Sequence, residues 1–143
     1  MQKDITVGHA VIISDAIRDE GTSYHYLPPS REVAAHPKAV QALEFVLGKH
    51  NVTYLVGKSW TTDAIYRETH DRRAKRIADG CQVVEMDAAA FFAVAKFRGV
   101  TFGQLGYGGD MVVPEGWDGR DWINRSSVRE LLFWLAVEAV LGL

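Results

Sequence analysis

The chain has 143 residues, 48% of them hydrophobic and 24% charged, with a formal net charge of −2. That is the composition of an ordinary globular protein, long enough for one domain with its own core over residues 1–143. The near-neutral balance gives no electrostatic reason for a nucleic acid or an anionic membrane as partner. No apolar run reaches the length of a membrane span, and the polar start Met1-Gln2-Lys3-Asp4 lacks a signal-peptide core. The lone Cys81 excludes an intrachain disulfide and fits a reducing compartment. The five histidines show no metal-ligand spacing. A cytoplasmic protein without a bound metal or cofactor is the expectation.

In chain order, residues 9–17 read as a buried strand, and 18–34 as a loop punctuated by Gly21, Pro28 and Pro29. Pro37 suits the first turn of a helix. Val40, Leu43, Val46 and Leu47 then recur at helical spacing to about Lys49. Residues 52–58 form a second strand with β-branched content. Residues 69–79 are a polar helix whose basic cluster (Arg67, Arg72, Arg73, Lys75, Arg76), interleaved with Glu68 and Asp71, reads as a solvated face. A third strand covers 82–86, an Ala- and Phe-rich helix 88–98, and a fourth strand 100–107. A long loop over 111–124 carries Trp117 and Trp122, and the last helix runs over about 125–141. Strands alternating with helices imply a layered α/β fold.

Four places invite chemistry. Glu85 and Asp87 flank Met86 where the third strand passes into a helix, the position at which open α/β sheets place ligands. An ionised carboxylate accepts hydrogen bonds only, so it suits a vicinal diol; equally, Asp87 is placed to cap the helix that follows. Asp110 follows a strand end and two glycines, Gly108 and Gly109, that let backbone approach a ligand. A partly desolvated carboxyl there suits a general acid, and a turn aspartate is the alternative. Arg125, at the start of the last helix, opposes the helix dipole and invites an anionic partner such as Asp110. Trp60 ends a strand, as a stacking platform for a flat base or as a core residue.

Several segments together resemble the C-terminal half of the purine/uridine nucleoside phosphorylase family. They are Arg18-Asp19-Glu20-Gly21-Thr22-Ser23-Tyr24-His25-Tyr26, Thr62-Asp63-Ala64-Ile65-Tyr66, Val84-Glu85-Met86-Asp87-Ala88-Ala89 and Gly109-Asp110, in the family's order and at roughly its spacing. The resemblance implies a twisted mixed sheet, partly closed as a barrel and surrounded by helices. It implies that Glu85, Met86 and Asp87 hold a ribose, although the family usually has the longer Glu where this chain has Asp87. It implies that Trp60 stacks on the base, that Asp110 protonates or hydrogen-bonds a purine N7, and that Arg125 pairs with that acid. Family members extend about 100 residues further at the N-terminus. That half supplies the phosphate site, which Arg18 and Arg31, loop arginines without a glycine cradle, do not replace. The expected partners are therefore a nucleoside or nucleobase, phosphate as co-substrate in the intact family, and a second copy or a complementary N-terminal chain.

Overall fold

The computed structural model describes residues 8–113, 116–121, 124 and 126–143. Its elements are β1 (Ala10–Asp19), β2 (Glu32–Ala34), α1 (Pro37–Lys49), β3 (Tyr54–Thr62), α2 (His70–Ala78), β4 (Cys81–Glu85), α3 (Ala88–Arg98), β5 (Gln104–Tyr107), β6 (Met111–Val113), β7 (Gly116–Asp118) and α4 (Ser126–Leu141). Short 3-10 turns lie at Thr22–His25 and Ile65–Arg67.

The long strand β1 organises the sheet. It pairs in parallel with β3 along its whole length, and β3 pairs in parallel with β4. The other edge of β1 is shared by two antiparallel strands: β5 covers Ala10–Ile13 and β2 covers Asp15–Ile17. The result is an open five-stranded mixed sheet flanked by helices. It is not the partly closed barrel that the family resemblance implies, because among the described residues β4 pairs only with β3 and the two edges never meet.

A register shift between Ile13 and Asp15 inserts Ser14 as an extra residue in β1. Such a bulge reverses the side-chain alternation beyond it. Ile12 therefore packs with Leu43, Val46 and Leu47 of α1 and Leu132 and Leu135 of α4, while Ile13 and Ala16 both pack under Ala88, Ala89 and Phe92 of α3. Ile17 joins Trp60 and Cys81 in a third cluster. A second irregularity sets the Gln82 amide over Gly57, where a Cβ would displace the end of the Gln82 side chain. Helix α3 ends on Gly99, at φ 65°, the left-handed conformation that glycine adopts without steric cost.

The helices match the sequence pattern closely; the strands shift. β1 continues through Arg18 and Asp19, because the Arg18 side chain is buried within the following turn. Its guanidinium donates to Ser23 Oγ (2.8 Å), Ser30 Oγ (2.7 Å) and the carbonyls of Pro28 (2.8 Å) and Leu27 (3.3 Å), and it stacks over the Tyr24 ring. The span 111–124, expected as loop, contains the β6–β7 hairpin, with Trp117 on β7. Trp122 lies outside the described residues. No helix among the described residues is long and apolar enough to cross a membrane.

Candidate functional site

The parallel run of β3 and β4 brings Ser59, Thr61 and Glu85 to one face of the sheet, beneath the start of α3. Both hydroxyls donate to Glu85 Oε1, Ser59 at 2.9 Å and Thr61 at 2.5 Å. Glu85 Oε2 accepts the backbone N–H groups of Asp87 (2.7 Å) and Ala88 (2.6 Å), and Thr61 Oγ1 accepts that of Ala89 (3.0 Å). The first amides of a helix have no partner within it. Here three of them are satisfied from the strands below.

That arrangement answers whether Asp87 caps the helix. Asp87 occupies the N-cap position of α3, yet its side chain makes no capping hydrogen bond. Glu85, half-buried, caps the helix instead, with both oxygens occupied. Asp87 is exposed, and Met86 beside it is 48% exposed. Of the acidic pair, one carboxylate is built into the fold and the other faces solvent at the strand-to-helix switch.

Trp60 alternates with Ser59 and Thr61 and so faces the opposite side of the sheet. It is 1% exposed, donates its indole N–H to Asp19 Oδ2 at 2.8 Å, and is overlaid by the Arg76 guanidinium 5.6 Å from the ring centroid. Arg76 also pairs with Asp19 at 3.0 Å and with Asp79 at 3.3 Å. Trp60 is therefore the core residue of the two alternatives, and it presents no open ring face to a base. Its function is to tie α2 to the sheet. Cys81, beneath it, is pushed up to about 11 chiefly by burial.

Asp110 lies elsewhere. Tyr107 pairs with Ala10, and Gly108 exchanges backbone hydrogen bonds with Gly8 and His9, so β5 delivers Asp110 beyond the beginning of β1. Glu85 is in register, through Thr61, with Arg18. Seven paired positions, Tyr54 to Thr61 on β3, separate the two registers, about 23 Å along the sheet. Asp110 is exposed, where partial desolvation was expected. The loop is held by a residue the sequence did not single out: Arg120 donates to the carbonyls of Gly109 (2.5 Å) and Asp110 (3.4 Å). Glu68, on the segment leading into α2, has its pKa raised, first by burial and then by the Asp110 charge. Arg125 lies outside the described residues.

The two arginines considered for phosphate are both engaged, Arg18 within its turn and Arg31 with Asp79. Among the described residues, no group of three or more His, Cys, Asp or Glu side chains is arranged to hold a metal ion. Ser59, Thr61 and Arg120 are the site residues that sequence reasoning missed. The visible signal was the alternation of hydroxyl residues along 59–61 opposite an acidic strand end.

Two solved structures share this fold. The AMP nucleosidase from Bacteroides thetaiotaomicron VPI-5482 superposes with a TM-score of 0.73 at 19% identity, covering 98% of this chain and 54% of that one. The P. knowlesi homologue of P. falciparum PNP superposes with a TM-score of 0.75 at 17% identity, covering 97% of this chain and 55% of that one. The chain thus spans about half the length of the solved structures it matches. The phosphorylase superfamily model matches residues 1–124, taking in the acidic strand end, the Asp110 loop and the paired strands between them, and the chain belongs to that superfamily.

Proposed function

We propose that this protein is a nucleoside phosphorylase-like module that binds a nucleoside, a purine nucleoside by preference, through its ribose. One observation carries the reading: the Asp87 carboxylate stands uncapped and exposed at the strand-to-helix switch, beside the half-exposed Met86, on a frame anchored by Glu85. An acceptor-only carboxylate takes the two donors of a vicinal diol, and the Met86 thioether offers a soft apolar surface to the sugar ring. In the intact family, a phosphate oxygen attacks the anomeric carbon as the C–N bond breaks. The departing base is then a better leaving group if N7 is protonated or hydrogen-bonded. Asp110, with Arg125 as its partner, is the candidate for that role, and phosphate is the co-substrate rather than a bound cofactor. A complementary chain or a second copy is the proposed source of the phosphate site.

A second reading, binding without efficient turnover, is favoured by the exposed loop position of Asp110, where a general acid gains from partial desolvation. Positioning of reacting groups accounts for several kcal/mol of a barrier, on the order of 7–11 kcal/mol in well-oriented cases. Titration calorimetry with inosine, adenosine and uridine, run beside an assay for phosphate-dependent base release, separates the readings. Heat with base release supports a phosphorylase; heat alone supports the binding module. Release of free ribose without phosphate identifies a hydrolase, and the absence of heat with every nucleoside removes the proposal.

A further inference from the structure

We infer that Ser59 and Thr61 are positioning residues for the sugar-binding carboxylate: working through Glu85, they take over the capping of α3 and so leave Asp87 free for ligand. The inference rests on the reading of Asp87 as the ribose acceptor and goes beyond it, because neither hydroxyl faces the ligand.

An aspartate at an N-cap ordinarily turns its carboxylate back onto the amides of the first turn. At Asp87 one of the two usual partners, the Ala89 amide, is already taken, and the side chain makes no capping hydrogen bond. The amides of Asp87 and Ala88 are taken by Glu85 Oε2, and that of Ala89 by Thr61 Oγ1. Glu85 is itself fixed at its other oxygen by Ser59 and Thr61, both 0% exposed. Thr61 is the hinge of the network, donating to Glu85 and accepting from Ala89 through one oxygen. A hydroxyl is the smallest group that does both. Charge-assisted hydrogen bonds to a carboxylate are short and directional, so the start of α3, and with it the Asp87 backbone, is held to the β3–β4 pair. Without Thr61, Ala89 N–H loses its partner and Glu85 loses one of its two hydroxyl donors. The Asp87 carboxylate then becomes the nearest acceptor for the freed amide, folds inward as an ordinary cap, and is withdrawn from the sugar.

The test uses the whole chain and three variants, Thr61→Val, Thr61→Ser and Ser59→Ala. Amide hydrogen exchange reads the cap, and calorimetry reads affinity for inosine, adenosine and uridine beside their free bases. In Thr61→Val the expected result is about a 10-fold loss of protection at Ala88 and Ala89 with β1 unchanged, one charge-assisted bond being lost. Nucleoside affinity falls about 10-fold on the same basis, free-base affinity stays unchanged, and Thr61→Ser restores both. A merely structural role would lower stability without separating nucleoside from base. Unchanged protection, or lost protection with unchanged nucleoside affinity, overturns the inference. Should Thr61→Val fail to fold, Ser59→Ala is read by the same criteria. Wild-type protein that binds no nucleoside overturns the functional reading, and the positioning role with it. Wild-type protein that binds while Thr61→Val is indistinguishable from it overturns the positioning role alone.

Discussion

Asp87 and Asp110 are both exposed aspartates at the ends of strands, yet they are supported in different ways. Asp87 begins a helix whose first amides are gripped by buried side chains from two paired strands. Asp110 sits in a glycine-bounded loop, which Arg120 steadies through two backbone carbonyls. The first is a side chain of the rigid sheet–helix junction, where small errors of position are suppressed. The second belongs to a surface loop, whose geometry depends on what lies against it. On the proposed reading, the residue assigned to the sugar is held by the sheet–helix junction and the residue assigned to the base by a loop.

The largest expected effect is at Trp60, which supports the junction from behind. Trp60→Ala removes a fully buried indole and its bond to Asp19, so stability falls by about 3–5 kcal/mol, measured by denaturant unfolding. Glu85→Ala comes next. It strips four hydrogen bonds from the cap of α3 and costs about 2–3 kcal/mol, with exchange protection lost first at Ala88. By contrast, Asp87→Ala removes an exposed side chain that caps nothing, and unfolding free energy changes by less than about 0.5 kcal/mol.

Smaller effects probe the loop and the core by titration. Asp110→Asn removes the negative charge that, after burial, raises the Glu68 pKa. The Glu68 carboxyl therefore titrates at lower pH in the variant, as followed by carbon NMR; an unmoved Glu68 would detach the Asp110 loop from the α2 segment. Cys81, pushed up to about 11 by burial, stays protonated in the folded state after the unfolded thiol has ionised at its ordinary value of 9.0. The sign follows from linkage: the stabilising contribution is present below the unfolded pKa and is lost as pH rises from there through the folded value. Native protein at pH 8 is thus expected to resist thiol alkylation, and to react on unfolding.

The helices were legible because their signals are local. Pro37 opens α1, the i, i+3, i+4 recurrence of Val40, Leu43 and Leu47 carries it, and Gly99 closes α3. The extension of β1 to Asp19 was not legible, because Arg18 reads as a loop charge until the ring of carbonyls that buries it is seen. The β6–β7 hairpin was hidden because strands of three residues carry too little alternation to register. At the site, the acidic pair was visible as a motif while its division of labour was not. Which carboxylate caps and which stands free depends on Ser59 and Thr61, some two dozen residues away and brought close only by strand pairing. The alternation Ser59-Trp60-Thr61 puts the indole and the hydroxyls on opposite faces of β3. Both faces are covered, the indole by α2 and the hydroxyls by the start of α3.

Asp87→Ala, assayed for stability and nucleoside affinity on the same preparation, tests the central claim most directly. The account predicts an unchanged unfolding midpoint with nucleoside affinity reduced at least about 10-fold, the loss of a charge-assisted bond to the sugar. Nucleoside affinity equal to wild type, or a fall in stability that accounts for the lost binding, would contradict it.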